Sequence, residues 1–401
     1  MKRQLAFIFA VLICFTAFPK SINTVPQSNI DSLIDQSKYA SAWSALNKLH
    51  DDSSTHTLIS KSEFCLKYFS HTSYHLKFYF ADLEQGETLL NRRQKEISTS
   101  ELFANFNVEH LLLKELRKDE GNSALHFVLG RFYYDVFLTY HDQWKKGTKE
   151  TMSLYYYHFM EAHKQNKTSA LSCYAISYFY QSRRTNLKAE QFLLEALMID
   201  SNYAAAHYNL AYSYSIQDST ELAIVHSQKA YKNYKMKSFK ADAASMTGIL
   251  YGDLNKHEHA INWLLIADAM SPGTVVVYES LLKSYLALKK EDEALLITKN
   301  LYSYDWRTGR IFNSILDSYM NEKQTPKLQL FLENEIISEP VNKEYQGFTY
   351  MHLTQMQINL NLKDQAMENL LKARSSFDIC YDKDHAIYRV IEKLEWSIKQ
   401  I

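Results

Sequence analysis

The chain has 401 residues, 46% of them hydrophobic and 22% charged, but only nine glycines and five prolines, well under the roughly 7% and 5% of ordinary proteins. A sandwich, barrel or doubly wound sheet of this length needs many Gly, Pro and Asn-Gly turns, so this scarcity excludes those folds and points to long helices with short connections. Lys plus Arg equals Asp plus Glu at 45 each, with no extended basic run, which leaves no footprint for nucleic acid or an anionic membrane surface.

At the N-terminus, Lys2 and Arg3 precede an apolar stretch of fourteen residues, Leu5 to Phe18, that stops before Pro19. Fourteen residues fall short of the roughly 20 of a membrane span and read as a secretory signal peptide over residues 1–21, which makes the chain exported: periplasmic, cell-envelope or secreted. Ala17 and Ser21 compete as cleavage sites, and a cut after Ser21 leaves 42 basic against 45 acidic groups. Cys14 stands where a lipoprotein carries its anchored cysteine, although Ile13 is bulkier than the Gly, Ala or Ser that precedes such a residue. A lipid anchor at Cys14 is therefore the second reading. Cys65, Cys173 and Cys380 remain after the cut, an odd number that cannot all pair in one chain, and Cys173 sits in an apolar helical stretch as a buried thiol.

Residues 22–121 hold helical stretches, including Tyr39 to Leu49 and Val108 to Arg117, without a clear register, and read as degenerate or capping helix pairs. Ala124 to Tyr133 opens a helix whose partner is expected over Leu154 to Lys164, with Leu138 to Ser153 between them as a loop inserted in the pattern. From there an internal repeat organises the chain. Ala189, Ala223, Ala260, Ala294, Leu328 and Ala366 are anchors spaced 34, 37, 34, 34 and 38 residues apart. Nine residues before them stand Tyr180, Tyr214, Tyr251, Tyr285, Tyr319 and Gln357. Ile176, Ser177 and Tyr180 share one helix face, as do Ala189, Leu193 and Ala196, so each repeat is two helices with one apolar stripe apiece. A lone pair cannot bury its stripes, whereas stacked pairs shield one another. Pro272 and Pro340, each twelve residues after an anchor, mark helix ends. His385 to Ile401 carries apolar residues at helical period and caps the series within 379–401.

Ala189 to Tyr214 and Gly248 to Pro272 resemble the tetratricopeptide repeat family, and the resemblance covers about Ser169 to Phe377. Ser227 and Thr298 replace the bulky residue four after the anchor, and Leu328 replaces the anchor Ala. The resemblance implies an all-α fold, a right-handed α-solenoid of stacked antiparallel helix pairs over 122–378. It also implies a ligand-holding concave face lined by the first helix of each repeat, here Phe127, Arg131, Tyr134, Tyr174, Tyr178, Tyr208, Asn209 and Tyr212, followed by Ser245, Ile249, Glu279 and Lys283. Tyr174, Tyr178, Tyr208 and Tyr212 recur at i and i+4 in adjacent repeats, a rigid amphipathic stripe suited to a peptide or a partner's helix; the alternative is that the rings simply pack on their neighbours. The basic clamp some relatives use for a C-terminal carboxylate is missing, with Asp242 and Met246 where bases would stand.

Catalytic patterns are scarce. Gly248 and Gly252 lie inside a helical repeat and not after a strand, so they form no phosphate loop. His257 and His259 point to different helix faces, which disfavours a metal pair, and Glu291, Asp292 and Glu293 suit a helix start. These readings predict no catalytic residue, no metal and no cofactor: a non-enzymatic scaffold for a protein or peptide partner, with an envelope-assembly lipoprotein or a helical-toroid polysaccharide-active enzyme as alternatives.

Overall fold

The computed structural model describes residues 27–49, 54–96 and 103–401. The expected signal peptide over 1–21, Cys14 included, lies outside the described residues. The chain divides into two compact units between Ser213 and Tyr214, a division that falls inside the stretch expected as one solenoid.

The first unit opens with α1 (Gln27–Asp35), α2 (Tyr39–Leu49) and α3 (Thr55–Tyr68), continues through the short α4 (Leu89–Arg93) to α5 (Val108–Leu116), and then holds the helix pairs α6 (Ser123–Tyr140) with α7 (Gly147–Lys164) and α8 (Ala170–Ser182) with α9 (Asn186–Ile199), followed by α10 (Ala204–Ser215). Between α3 and α5 the helical expectation missed a small antiparallel sheet in the order β1 (His71–Ser73), β2 (Lys77–Tyr79), β3 (Ala104–Asn105). The β1–β2 hairpin turns at Tyr74 and His75, both at positive φ, and inserts the fully buried Phe78 between Phe69 and Phe80. The expected loop over Leu138 to Ser153 is mostly helix. The inserted stretch lengthens both α6 and α7 to 18 residues, against 13 and 14 in α8 and α9.

The second unit is a run of paired helices: α11 (Thr220–Asn233), α12 (Lys237–Asp253), α13 (His257–Met270), α14 (Val275–Ala287), α15 (Glu291–Tyr304), α16 (Arg310–Asn321), α17 (Thr325–Ser338), α18 (Lys343–Asn359), α19 (Lys363–Cys380) and the closing α20 (Ile387–Lys399). Each helix packs on its neighbours in sequence, and α12 packs on α14 and α14 on α16, the contact of one pair with the next. All six anchors and all six residues thirteen positions before them are buried, so the fold is the all-α helical repeat that the period implies.

One turn recurs in every repeat. Arg184, Asp218, Asn255, Lys289, Lys323 and Asn361 each lie five residues before an anchor, and each is left-handed, with φ of 56° to 59°. The amide after each of them bonds the carbonyl nine before the anchor, as in Thr185 N to Tyr180 O at 3.0 Å and Gln324 N to Tyr319 O at 2.8 Å. This is the Schellman closure of a helix end, a place where glycine is usual. Here none of the six is glycine, which is one reason the composition is so poor in it. The small residues at the fourth position after the anchor are also accommodated: the Thr247 hydroxyl donates to Ser227 Oγ at 2.8 Å, and Thr298 Oγ1 meets the Tyr319 hydroxyl at 3.0 Å. Hydrogen-bonded pairs thus fill the space that a bulky apolar side chain takes elsewhere.

Candidate functional site

The eight residues selected on α6, α8 and α10 all fall within the first unit. Phe127 and Tyr134 are core residues, each 4% exposed, with Phe127 edge-on to Phe159 at 5.9 Å and Tyr134 edge-on to Tyr155 at 5.2 Å. Burial holds the Tyr134 hydroxyl well above the usual tyrosine range. Asn209 is buried as well. Arg131 Nε lies 3.7 Å from Asp135 Oδ2; burial raises the Asp135 pKa, and the Arg131 and Arg93 guanidinium groups only partly oppose it. Tyr174, Tyr178, Tyr208 and Tyr212 are half-buried. Tyr174 tilts against Tyr203 at 5.6 Å, and Tyr178 against Phe137 at 5.8 Å with its hydroxyl pushed up to about 12 by burial. Each of these two tyrosines therefore has its ring braced by a neighbour while part of it stays accessible. In the second unit Ser245, Ile249 and Glu279 are half-buried and Lys283 is exposed.

A second group was not legible in the sequence. His163 lies in the last turn of α7, Cys173 in the first turn of α8 and Glu195 in the last turn but one of α9. Because the three helices run alternately up and down, these ends meet on one side. His163 Nε2 is 2.7 Å from Glu195 Oε1, and the Cys173 thiol is hydrogen-bonded to the same carboxylate. Burial and then the Glu195 charge push the Cys173 pKa far up, so the free site holds a protonated thiol. One donor atom from each residue lies within 4.8 Å of the others. The Phe192 ring stands edge-on to the His163 imidazole at 5.4 Å and limits its rotation. Cys173 is buried, as expected from its apolar helix, but it is not chemically isolated. The His257-Glu258-His259 segment gathers no such group: Glu258 pairs with Lys290 at 3.6 Å, and His259 rests on the Tyr251 ring at 5.2 Å.

Helix pairs closed by one repeated left-handed turn define a helical-repeat protein. No family model and no curated protein matches the sequence. Among solved structures the chain is similar to tetratricopeptide repeat proteins. It shares 20% identity with YrrB, described as a TPR protein with an unusual peptide-binding site, covering 46% of this chain and 93% of that one at a TM-score of 0.38. With a tetratricopeptide repeat protein from Parabacteroides merdae it shares 16% identity over 63% of this chain and 93% of that one, with a TM-score of 0.40. With the C-terminal part of a TPR repeat-containing protein from Cytophaga hutchinsonii the identity is 12% over 59% and 92%, with a TM-score of 0.42. No helix among the described residues is long and apolar enough to cross a membrane.

Proposed function

We propose that this chain is an exported, non-enzymatic scaffold that holds a peptide or a helix of a partner protein against the tyrosines of α8 and α10. The observation that carries the reading is the pair of half-buried i, i+4 tyrosines on each helix, Tyr174 with Tyr178 and Tyr208 with Tyr212. A ring whose body is already braced, as Tyr178 is by Phe137, loses little conformational freedom on binding and offers both an apolar face and a hydroxyl. Phe127 and Tyr134, packed on Phe159 and Tyr155, and the buried Asn209 are not offered to a partner, and Arg131 is the one cation among the eight. Export rests on Lys2, Arg3 and the apolar stretch that follows them, with a lipid anchor at Cys14 as the variant of that reading.

Affinity capture from the native cell envelope, followed by cross-linking, tests the binding face. A partner held by the wild type and lost at least about thirtyfold in both Tyr178→Ala and Tyr212→Ala, with unchanged melting temperature, supports it; such a loss matches the 2 kcal/mol or so of an aromatic hot spot. Equal capture by wild type and variants refutes it. Mass spectrometry of the mature N-terminus distinguishes cleavage near Ser21 from lipidation at Cys14.

A further inference from the structure

We propose that His163, Cys173 and Glu195 form a transition-metal site that takes Zn²⁺ or a similar borderline divalent ion, with the imidazole Nε2, the thiolate Sγ and one carboxylate oxygen as protein ligands. The inference is independent of the scaffold reading, since the two groups share no residue.

Three observations carry it. The donors are the right kind: one sulfur, one imidazole nitrogen and one carboxylate oxygen are a zinc set, whereas calcium and magnesium select oxygen alone. They are already gathered, because all three donor atoms lie within 4.8 Å of one another in a group that no ion is needed to assemble. A tetrahedral ion with bonds of roughly 2.1 Å to N and O holds those two atoms about 3.4 Å apart. The 2.7 Å His163–Glu195 contact must therefore open slightly. Glu195 can move, since its side chain is 35% exposed, and His163, at 28%, leaves a route in from solvent.

Charge closes as well. In the free site the Glu195 carboxylate accepts from both the thiol and the imidazole, so it holds the place of the metal with two protons. On binding, the S–H bond breaks, its proton passes to solvent and the sulfur electron pair bonds the ion, while the imidazole gives up its Nε2 proton to solvent and takes one up at Nδ1, so that the Nε2 lone pair faces the metal. One dication, one thiolate, one carboxylate and a neutral imidazole sum to zero, which removes the penalty for an isolated charge at the buried Cys173. The ion would tie α7, α8 and α9 together, and its fourth position is left to water, the three-ligand pattern of an open zinc site.

Titration of the full, untagged chain with Co²⁺, followed by displacement with Zn²⁺, tests the site. The expected result is one equivalent bound, a thiolate-to-cobalt charge-transfer band in the near ultraviolet, intense visible bands typical of four-coordination, and bleaching by Zn²⁺. Cys173→Ser should lose the charge-transfer band, and His163→Gln should lose affinity by more than about tenfold. Should Cys173→Ser fail to fold, judged by its metal-free melting curve, the half-exposed Glu195→Gln replaces it and should lose affinity likewise. No uptake by the wild type, uptake without the thiolate band, or a titration that none of the variants changes overturns the assignment and leaves the trio as a hydrogen-bonded clasp.

Discussion

Gly248 on α12 faces Leu264 on α13 so closely that a Cβ at Gly248 would stand 2.6 Å from Leu264 Cγ and 3.1 Å from the Ala260 carbonyl oxygen. The same relation recurs in the first unit, where a Cβ at Gly130 would meet the Phe159 ring at 2.5 Å. In both, a glycine in the first helix of a pair admits the large residue of the second. Helix–helix approach within a pair is thus set by the smaller partner.

Two glycines on α12 should respond to alanine with opposite signs. Gly248→Ala gains about 1 kcal/mol of helix propensity but forces Leu264 and a backbone carbonyl to yield, an overpacking cost of about 1–3 kcal/mol, so a net destabilisation is expected. Gly252→Ala meets only the Ala260 Cβ at 3.9 Å and should stabilise by up to about 1 kcal/mol. Urea midpoints of the two variants decide the matter; equal signs refute it.

The left-handed turn residues are a second place to gain stability. Lys323, at φ 56° and exposed, carries the steric cost of a Cβ in that region, about 1–2 kcal/mol, less the extra chain entropy that a glycine loses. Lys323→Gly should therefore stabilise by about 0.5–1 kcal/mol, and Lys323→Val should destabilise. Thermal denaturation of both variants is the check, and a Val variant as stable as the Gly variant would contradict the Schellman reading.

Buried histidines should make the protein acid-sensitive. Desolvation lowers His352, His158 and His75 to about 3, with His126 adding to the effect at His158 and Arg93 at His75. In the unfolded chain the same groups titrate near 6.5, so below that pH the unfolded state binds more protons. The stability they contribute is complete above about pH 6.5 and drains away as pH falls towards 3, a few kcal/mol per residue at the acid end. Burial-raised carboxyls such as Asp135 act in the opposite direction, so the test is differential: the stability gap between wild type and His352→Gln should shrink from pH 7 to pH 4. A constant gap rejects the assignment.

The Tyr302 hydroxyl sits at the centre of a buried relay. Thr349 donates to the Tyr345 carbonyl and accepts from Tyr302 at 3.0 Å, which leaves His352 Nδ1–H, 2.9 Å away, to donate to the Tyr302 oxygen. Tyr302→Phe would strand that imidazole donor at a site 6% exposed, and the expected loss is about 1–3 kcal/mol. A variant within about 0.5 kcal/mol of wild type in chemical denaturation would show that the relay contributes nothing.

Anchor spacing, the tyrosine series and the breaker count made the helix pairs legible in the sequence, because helical period and stacking logic act between residues close along the chain. Pro272 and Pro340 fall just past the ends of α13 and α17 for the same local reason. The β1–β2–β3 sheet was hidden: its strands are two or three residues long, too short for alternation to register, and β3 pairs across a long connection. The adjoining ends of α6 and α7, within Leu138 to Ser153, look like a loop in the sequence because the inserted residues break the repeat register without breaking the helices.

Which residues meet across helices was decided only by the tertiary structure. Phe127 and Tyr134 share the face expected to bind, yet the longer α7 covers them with Phe159 and Tyr155. His163, Cys173 and Glu195 belong to three separate helices, and no spacing rule joins them. The sequence by itself determined the period, the pairing and the helical class, which follow from apolar stripes that must be buried. The fold decided burial of the candidate face and the meeting of imidazole, thiol and carboxylate, because side-chain proximity between helices depends on their lengths and alternating directions, and neither is written in any one segment.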